Sequence, residues 1–245
     1  MITLTTDFGY MDHYVGAMKG VILNINPQAR IIDITHSIRR HDIRHAAYVL
    51  SAILPYFKNA VHVFVVDPGV GTSRKGIAVR FGDSWYVGPD NGIITYVADR
   101  IDDVYEIQLE PKSTTFHGRD VFAPAGAYID MGRSDGILRK IKNVHLFSYH
   151  PPVKNGDTLE GEIIHVDRFG NVVTNIPGSM VGRPAYVEVF GMRLRFLPSY
   201  GFAKRGELIA LINSENFLEF AVNQGDASTK LPCSVGDRVE VRVQH

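Results

Sequence analysis

An acid and an arginine lie seven positions apart in the stretch VVDPGVGTSRKG, residues 65–76, which continues an apolar run. Its glycines suggest a phosphate-binding loop, but Arg74 occupies the position of the third glycine of G-x-G-x-x-G. A Walker loop fails as well, because Arg74 replaces its second glycine and Gly76 stands where Ser or Thr is needed. The stretch therefore offers chemistry through an acid, Asp67, at the end of a strand and through the cation of Arg74.

Short β-rich runs alternate with helix-like stretches through the first 150 residues. Apolar residues recur at three and four positions in residues 13–27 and 43–57, which predicts two helices. This alternation predicts an α/β domain with a mostly parallel sheet covered on both faces. Ligands of such sheets gather beyond the carboxyl ends of the strands. Three polar residues follow apolar runs and are expected around one crevice: Asp7, Asp67 and Asn91.

The stretch SYHPPVKNGDT, residues 148–158, interrupts this pattern with two prolines and a glycine turn. Beyond it, short runs of alternating apolar residues are separated by turn signals, with little helical period. We therefore predict two domains: an α/β domain over 1–150 that carries the chemistry, and a small antiparallel β-barrel over 158–245.

Composition favours a small-molecule partner. Lys and Arg total 26 against 26 acidic residues, and this zero net charge argues against nucleic acid or a membrane surface as partner. The single cysteine, Cys233, permits no internal disulfide and no cysteine-cluster zinc site, so a cytoplasmic location is expected. The N-terminus resembles no signal peptide, and no run approaches the roughly 20 apolar residues of a membrane span.

Six motifs occur in order along the chain: TTDFG (5–9), VVDPGVGTSR (65–74), GPDNG (88–92), TFHGRDVFAP (115–124), DRFGNVVTNI (167–176) and NSENFLEFAVNQGDA (213–227). In this set the chain resembles the S-adenosyl-L-methionine (SAM) hydroxide adenosyltransferases, the hydrolytic relatives of the SAM-dependent fluorinase and chlorinase. The resemblance covers nearly the whole chain. It implies hydrolysis of SAM to adenosine and L-methionine, and an α/β domain followed by a β-barrel.

The reaction implied by this resemblance places water or hydroxide at C5′ of the ribose. The sulfonium departs as a neutral thioether, so neither a general acid nor a metal is required, and no cofactor is expected. Asp67, Arg74 and His117 match the catalytic set of the family. Asp67 and His117 would hold or deprotonate the water, and Arg74 would fix Asp67 and stabilise developing hydroxide. Which residue accepts the proton stays open.

Binding roles also follow from the resemblance. Asp7 would accept hydrogen bonds from the ribose hydroxyls, although an acid there could also cap the next helix. Asn91 would contact the nucleoside, or else serve the Asn-Gly turn. Asn171 would pair with the adenine edge, with rings from Phe169 and Tyr200 beside it.

The methionine end of SAM needs partners for an ammonium and a carboxylate. Asp167 suits the first and Ser214 the second. The halogenating relatives place Arg after the matching Ser, whereas this chain has Glu215, which would meet the ammonium or a water. Val222 would contribute backbone groups or an apolar wall to the adenine pocket.

The sequence also bears on two alternative functions and on the assembly of the chain. A SAM halogenase is opposed by the acid at position 67 and by Gly118, where the fluorinase pattern has a halide-binding Ser. A noncatalytic adenosine or SAM sensor is opposed by the complete catalytic set. The resemblance further implies a homotrimer whose sites lie between the α/β domain of one chain and the barrel of its neighbour.

Overall fold

The computed structural model describes residues 1–244 and divides into two compact units, Met1–Phe147 and a second that begins at Ser148. The strands of the first unit are β1 (Ile2–Thr6), β2 (Ile31–Thr35), β3 (Val61–Val65), β4 (Gly76–Phe81), β5 (Ser84–Pro89), β6 (Asp103–Ile107) and β7 (Leu138–Ile141). Its helices are α1 (Tyr14–Ile25), α2 (Ile43–Ile53) and α3 (Ala123–Asp130). Shorter helical turns span Leu54–Tyr56, Thr95–Arg100 and Gly118–Phe122.

These strands form a sheet in the order β2-β1-β3-β5-β4-β6-β7. The pairs on the β2 side, through β5, are parallel, whereas β4 pairs with β5 and β6 in antiparallel fashion and β6 pairs likewise with β7. The α/β class is confirmed, and the sheet is mixed. The antiparallel half begins where Gly82, at a φ of +57°, and Asp83 join β4 directly to β5, because so short a connection can only form a hairpin.

Helices cover both faces of this sheet. Val63 on β3 belongs to the same apolar cluster as Met18 of α1, whereas the next residue, Phe64, packs with Leu50 of α2 on the other face. The helix α3 also lies on the α1 side, where a Cβ at Gly126 would come within 2.7 Å of Val63. The alternation of buried residues along β3 thus holds the central strands between two apolar layers.

Both predicted helices form. The helix α1 buries Val15, Met18 and Ile22 at helical spacing. The helix α2 begins after Asp42, whose carboxylate accepts from the backbone N–H of His45 at 2.8 Å. The helix α3 was missed, because its small residues provide little amphipathic pattern.

The second unit is a closed barrel. Its elements are β8 (Val153–Asn155), β9 (Thr158–Val166), β10 (Val172–Pro177), α4 (Gly178–Val181), β11 (Tyr186–Val189), β12 (Met192–Phe196), β13 (Leu208–Ile212), β14 (Phe217–Val222) and β15 (Arg238–Gln244). The ring runs β10-β14-β13-β12-β11-β15-β9 and closes through pairing of β9 with β10, while β8 extends it at β9. The pairs are antiparallel apart from β12 with β13. The barrel prediction is confirmed; the terminal His245 of the predicted range lies outside the described residues.

Within residues 1–244, no helix is both long and apolar enough to cross a membrane.

His62 is a titratable side chain inside the sheet. It is fully buried on β3, and its Nδ1 lies 2.8 Å from Oγ1 of Thr3 on β1. Burial lowers the pKa of His62 to about 4, from the ordinary value of 6.5. Between these pH values His62 is protonated in the unfolded chain and neutral in the folded chain. The stability present above pH 6.5 is therefore lost as the pH falls toward 4, by up to about 3 kcal/mol.

We expect His62→Gln to flatten the acid side of the stability profile, because Gln does not titrate. The measurement is urea unfolding between pH 7.5 and 4, followed by the fluorescence of Trp85, the single tryptophan of the chain, whose strand β5 pairs with β3 beside His62. The difference in the free energy of unfolding between the wild-type protein and His62→Gln should become smaller as the pH falls. Parallel profiles would show that His62 does not carry this dependence.

Candidate active site

The side chain of Arg74 connects Asp67 with His117. Its Nε donates to Oδ1 of Asp67 at 2.9 Å, and its Nη2 donates to Oδ2 of the same carboxylate. The same Nη2 lies 2.9 Å from Nδ1 of His117. The side chains of Asp67 and Arg74 are only 5% and 11% exposed. The structure therefore brings these three predicted residues into one hydrogen-bonded set that is largely shielded from water.

The glycines of the 65–76 stretch serve close approach within the protein. Gly71 has a φ of +78°, and a Cβ there would stand 2.5 Å from the backbone oxygen of Thr114. The turn containing Gly71 can therefore lie directly against the segment that leads to His117. The guanidinium of Arg74 is further held over the ring of Phe122, 5.1 Å from its centroid.

His117 immediately precedes a π-helical turn, Gly118–Phe122, which runs into α3. Such turns are frequent at functional sites. Gly118 is tightly enclosed: a Cβ there would lie 3.1 Å from Phe116, 3.2 Å from Val65 and 3.4 Å from Met18. A larger residue at 118 would require these neighbours to shift.

The contact with Arg74 fixes the hydrogen on the His117 ring. A guanidinium has N–H donors and no acceptor, so Nδ1 of His117 accepts and carries no hydrogen. Burial and, second, the charge of Arg74 lower the pKa of His117 below its ordinary value. His117 is thus a neutral imidazole that can donate from Nε2 while Nδ1 is held.

Asp67 and His117 open onto a cavity of about 550 Å³ in the first unit. Asp7 also lines it, as predicted from its place after β1, because β1 and β3 are adjacent parallel strands that end at the same edge. The sequence did not single out several other lining residues, which carry rings and charges: Phe8, Asp12, His13, Tyr14, Arg40, His41, Phe116 and Arg119.

The side chains of Asp7 and Asn91, the two remaining candidates of the first unit, form hydrogen bonds with backbone groups. Asp7 does not cap the next helix, which begins after His13; its Oδ2 instead accepts from the backbone N–H of His41 at 2.9 Å. Asn91 is absent from the cavity lining. Its Nδ2 donates to the carbonyl of Val66 at 2.8 Å, and its φ is not positive, so it does not adopt the left-handed turn conformation. Asn91 thus ties the strand end of β5 to that of β3.

A second cavity of about 550 Å³ lies in the barrel unit. It is lined by five of the residues predicted to bind SAM and by two others: Asp167, Phe169, Asn171, Tyr200, Val222, Gln224 and Gly225. Phe169 is 74% exposed and Tyr200 is 42% exposed. Both rings are therefore available to a ligand, unlike ordinary barrel core.

Asp167 organises the turn between β9 and β10. Its Oδ1 accepts from the backbone N–H groups of Phe169 and Asn171, at 2.8 and 2.9 Å, and its Oδ2 accepts from Nδ2 of Asn171 at 2.9 Å. Gly170 has a φ of +81°, and a Cβ there would overlap the carboxylate of Asp226. No described residue donates to Oδ1 of Asn171, so that oxygen and one amide hydrogen remain for a ligand.

Ser214 and Glu215 lie on the exposed turn between β13 and β14, outside the cavity lining. Oγ of Ser214 donates to Oε1 of Glu215 at 2.8 Å. Burial and a hydrogen bond to Glu219 raise the pKa of Tyr200, and the charges of Asp167 and Glu215 add to the effect.

Among residues 1–244, no group of three or more His, Cys, Asp or Glu side chains is arranged to hold a metal ion.

Sequence comparison assigns the chain to a family. The SAM hydroxide adenosyltransferase N-terminal domain matches residues 2–137, and the C-terminal domain of the same family matches residues 161–240. The chain belongs to the SAM hydroxide adenosyltransferase family.

Curated relatives fall in two groups. The "(R)-S-adenosyl-L-methionine hydrolase" of Methanocaldococcus jannaschii is 40% identical over 98% of this chain and 95% of its own length. The protein of the same name from Thermus thermophilus is 36% identical over 94% and 95%. A fluorinase from Actinopolyspora mzabensis matches at 23% identity over 99% and 96%.

A solved structure of an uncharacterized conserved protein from Thermotoga maritima superposes with a TM-score of 0.90 at 38% identity, covering 99% of this chain and all of the other. A conserved hypothetical protein from Thermus thermophilus gives a TM-score of 0.82 at 35% identity, covering 99% and 98%.

The contact between Arg74 and His117 predicts how the pKa of His117 changes when Arg74 is replaced. Arg74→Met removes a positive charge beside the imidazole, so the pKa of His117 should rise. NMR of the ¹⁵N-labelled imidazole would measure this and should show the wild-type hydrogen on Nε2. Lys75→Met is the matched control, since Lys75 lies beside Glu106 at 3.7 Å and should leave His117 unaffected. A wild-type hydrogen on Nδ1, or an unchanged titration in Arg74→Met, would contradict the geometry.

Proposed function

We propose that this protein hydrolyses SAM to adenosine and L-methionine, and that, as the names of its relatives suggest, it acts on the (R) sulfonium epimer. The observation that carries the proposal is the bidentate Arg74–Asp67 pair joined to His117 at the cavity of the α/β unit. Curated relatives named (R)-SAM hydrolase at 35–40% identity support it.

The proposed step is a displacement at C5′ of the ribose. The water oxygen forms the new C–O bond as the C5′–S bond breaks, and the electron pair of that bond neutralises the sulfonium. The thioether leaves without a proton, so the protein must chiefly hold the water in line and exclude bulk solvent.

Asp67 is the proposed proton acceptor. Nδ1 of His117 is held by Arg74 and its Nε2 carries hydrogen, so the neutral ring donates to the water and orients it. Each Asp67 oxygen accepts from Arg74 and retains a second lone pair. A weak base is sufficient, because the water oxygen becomes strongly acidic as it bonds to carbon. The proton then passes to solvent.

Binding is proposed to involve both cavities. In the first, Asp7 takes the ribose hydroxyls, and Asn91 supports the nucleoside site through the strand ends. In the second, the free Oδ1 and amide hydrogen of Asn171 read the adenine edge, beside Phe169 and Tyr200.

The methionine end is assigned to acidic and hydroxyl groups of the barrel unit. Asp167 faces the ammonium, Ser214 faces the carboxylate, and Glu215 assists at the ammonium or through a water. Val222 forms a wall of the adenine pocket.

A halogenase is the weaker candidate. The tight space around Gly118 disfavours a serine there, and the carboxylate of Asp67 would repel a halide. A sensor without activity would not need a shielded acid, guanidinium and imidazole in one hydrogen-bonded set.

The proposed assembly is a cytoplasmic homotrimer with sites shared between neighbouring chains. The proposed catalytic residues end at His117, whereas the adenine and methionine partners begin at Asp167. A site closed by a second chain would also exclude water from the sulfonium.

The activity test is incubation of the chelator-treated protein with each SAM epimer in H₂¹⁸O. Adenosine labelled at O5′ and methionine are expected, whereas 5′-halo-5′-deoxyadenosine in halide buffer would favour the halogenase, and unchanged SAM would favour the sensor. Asp67→Asn should lower kcat by roughly 10²–10³-fold with little change in KM. The exposed Asp83→Asn is its control. Full activity in Asp67→Asn would refute the proposed mechanism. Loss of the wild-type activity on chelation would refute it as well.

Shared sites predict complementation. Asp67→Ala and Asn171→Ala, each inactive alone, are unfolded and refolded together so that chains mix. Some activity should return, because an intact α/β unit from one variant can meet an intact barrel from the other. Mixed oligomers that form and stay inactive would show that each site belongs to one chain.

A further inference from the structure

Glu219 is a buried acid that the proposed chemistry does not use. It lies on β14 and is 3% exposed. Its Oε1 accepts from Oη of Tyr200 at 2.8 Å, and its Oε2 accepts from Nδ2 of Asn213 at 3.3 Å. One carboxylate therefore connects two separate segments of the barrel unit.

The first connection holds a ring of the cavity. Tyr200 lies on a single helical turn, Tyr200–Phe202, and its ring lines the second cavity while remaining 42% exposed. Packing alone leaves such a ring free to change rotamer. The bond from its hydroxyl to a buried carboxylate fixes where the ring stands.

The second connection holds the turn between β13 and β14. Oδ1 of Asn213 accepts from the backbone N–H groups of Glu215 and Phe217, at 3.1 and 2.9 Å. The amide orientation is thereby set, so Nδ2 must be the group that faces Glu219. This turn carries Ser214 and Glu215, the residues assigned to the methionine end.

Stability alone does not explain an acid at this position. Burial raises the pKa of Glu219, and the charges of Asp167 and Glu215 raise it further, while the two hydrogen bonds oppose the effect. No described cation pairs with it. A buried acid without a cationic partner costs free energy that a neutral residue of similar size would avoid.

We propose that Glu219 is a positioning residue that fixes the Tyr200 ring relative to the 213–217 turn and so sets the shape of the nucleoside and methionine subsites. This inference rests on the proposed function of the second cavity. Glu219 acts through Tyr200 and Asn213 rather than on the reacting atoms.

The test compares steady-state kinetics of SAM hydrolysis in three variants. In Glu219→Gln, the neutral amide offers Tyr200 a weaker acceptor than a carboxylate, and its NH₂ group opposes Nδ2 of Asn213 with a second donor. We expect KM to rise roughly tenfold with kcat within about twofold, because the proposed catalytic set lies in the other unit. Tyr200→Phe should raise KM about threefold. The double variant should raise KM by less than the product of the two effects, as coupled residues do.

Glu162→Gln is the matched control. Glu162 is a barrel acid 1% exposed that accepts from the backbone N–H of His150 and lies outside the second cavity, so its loss should lower stability without moving KM. An unchanged KM in Glu219→Gln, an equal rise in Glu162→Gln, or multiplicative single effects would overturn the proposal. Should Glu219→Gln fail to fold, an unchanged KM in Tyr200→Phe overturns it.

The two proposals can fail separately. If the wild-type protein binds adenosine without hydrolysing SAM, the proposed function fails, and the adenosine dissociation constant replaces KM in the same comparison. A wild-type protein that binds neither adenosine nor SAM overturns both.

Discussion

The guanidinium of Arg74 is the group on which the α/β site depends. It occupies both oxygens of Asp67 and the Nδ1 of His117, and so fixes the direction of the acid and the tautomer of the imidazole at once. A largely buried ion pair is costly unless its hydrogen bonds are well satisfied. The surrounding fold meets this condition: Phe122 supplies a ring beneath the guanidinium, and Gly71 lets the turn approach the segment before His117.

The position of this site could be predicted because the ends of strands can be recognised in the sequence. Asp7 and Asp67 each follow a β-rich run, and β1 and β3 are parallel neighbours, so the two acids share one edge of the sheet. Asn91 follows β5 in the same way, yet its amide binds the Val66 carbonyl and does not line the cavity. An apolar run predicts where a side chain emerges from the sheet; it does not predict what that side chain then contacts.

Glu219 shows what local pattern could not reveal. In FLEFAV it alternates with Leu218 and Phe220, which face the barrel core, and a polar residue between them is expected to face water. Its side of β14 is instead covered, since Ala221 packs with Ala203 on the outside of the barrel. Tyr200, which donates to Glu219, lies 19 positions earlier in the chain, so no short window around position 219 contains it. The antiparallel pairing of β4, β5, β6 and β7 was likewise not predicted, because an apolar run reads the same whether the strand pairs in parallel or in antiparallel fashion.

Charge balance gives Arg74 a second role under the proposed reaction. The substrate is a cation at sulfur, and its charge disperses as the C5′–S bond breaks. An unpaired carboxylate beside the sulfonium would stabilise the bound substrate more than the transition state and would slow the reaction. Pairing Asp67 with Arg74 keeps an oxygen acceptor at the attacking water while cancelling most of its field. Asp167 and Glu215, for which the described residues show no cationic partner, lie in the barrel unit, where the substrate ammonium, whose charge does not change, is assigned.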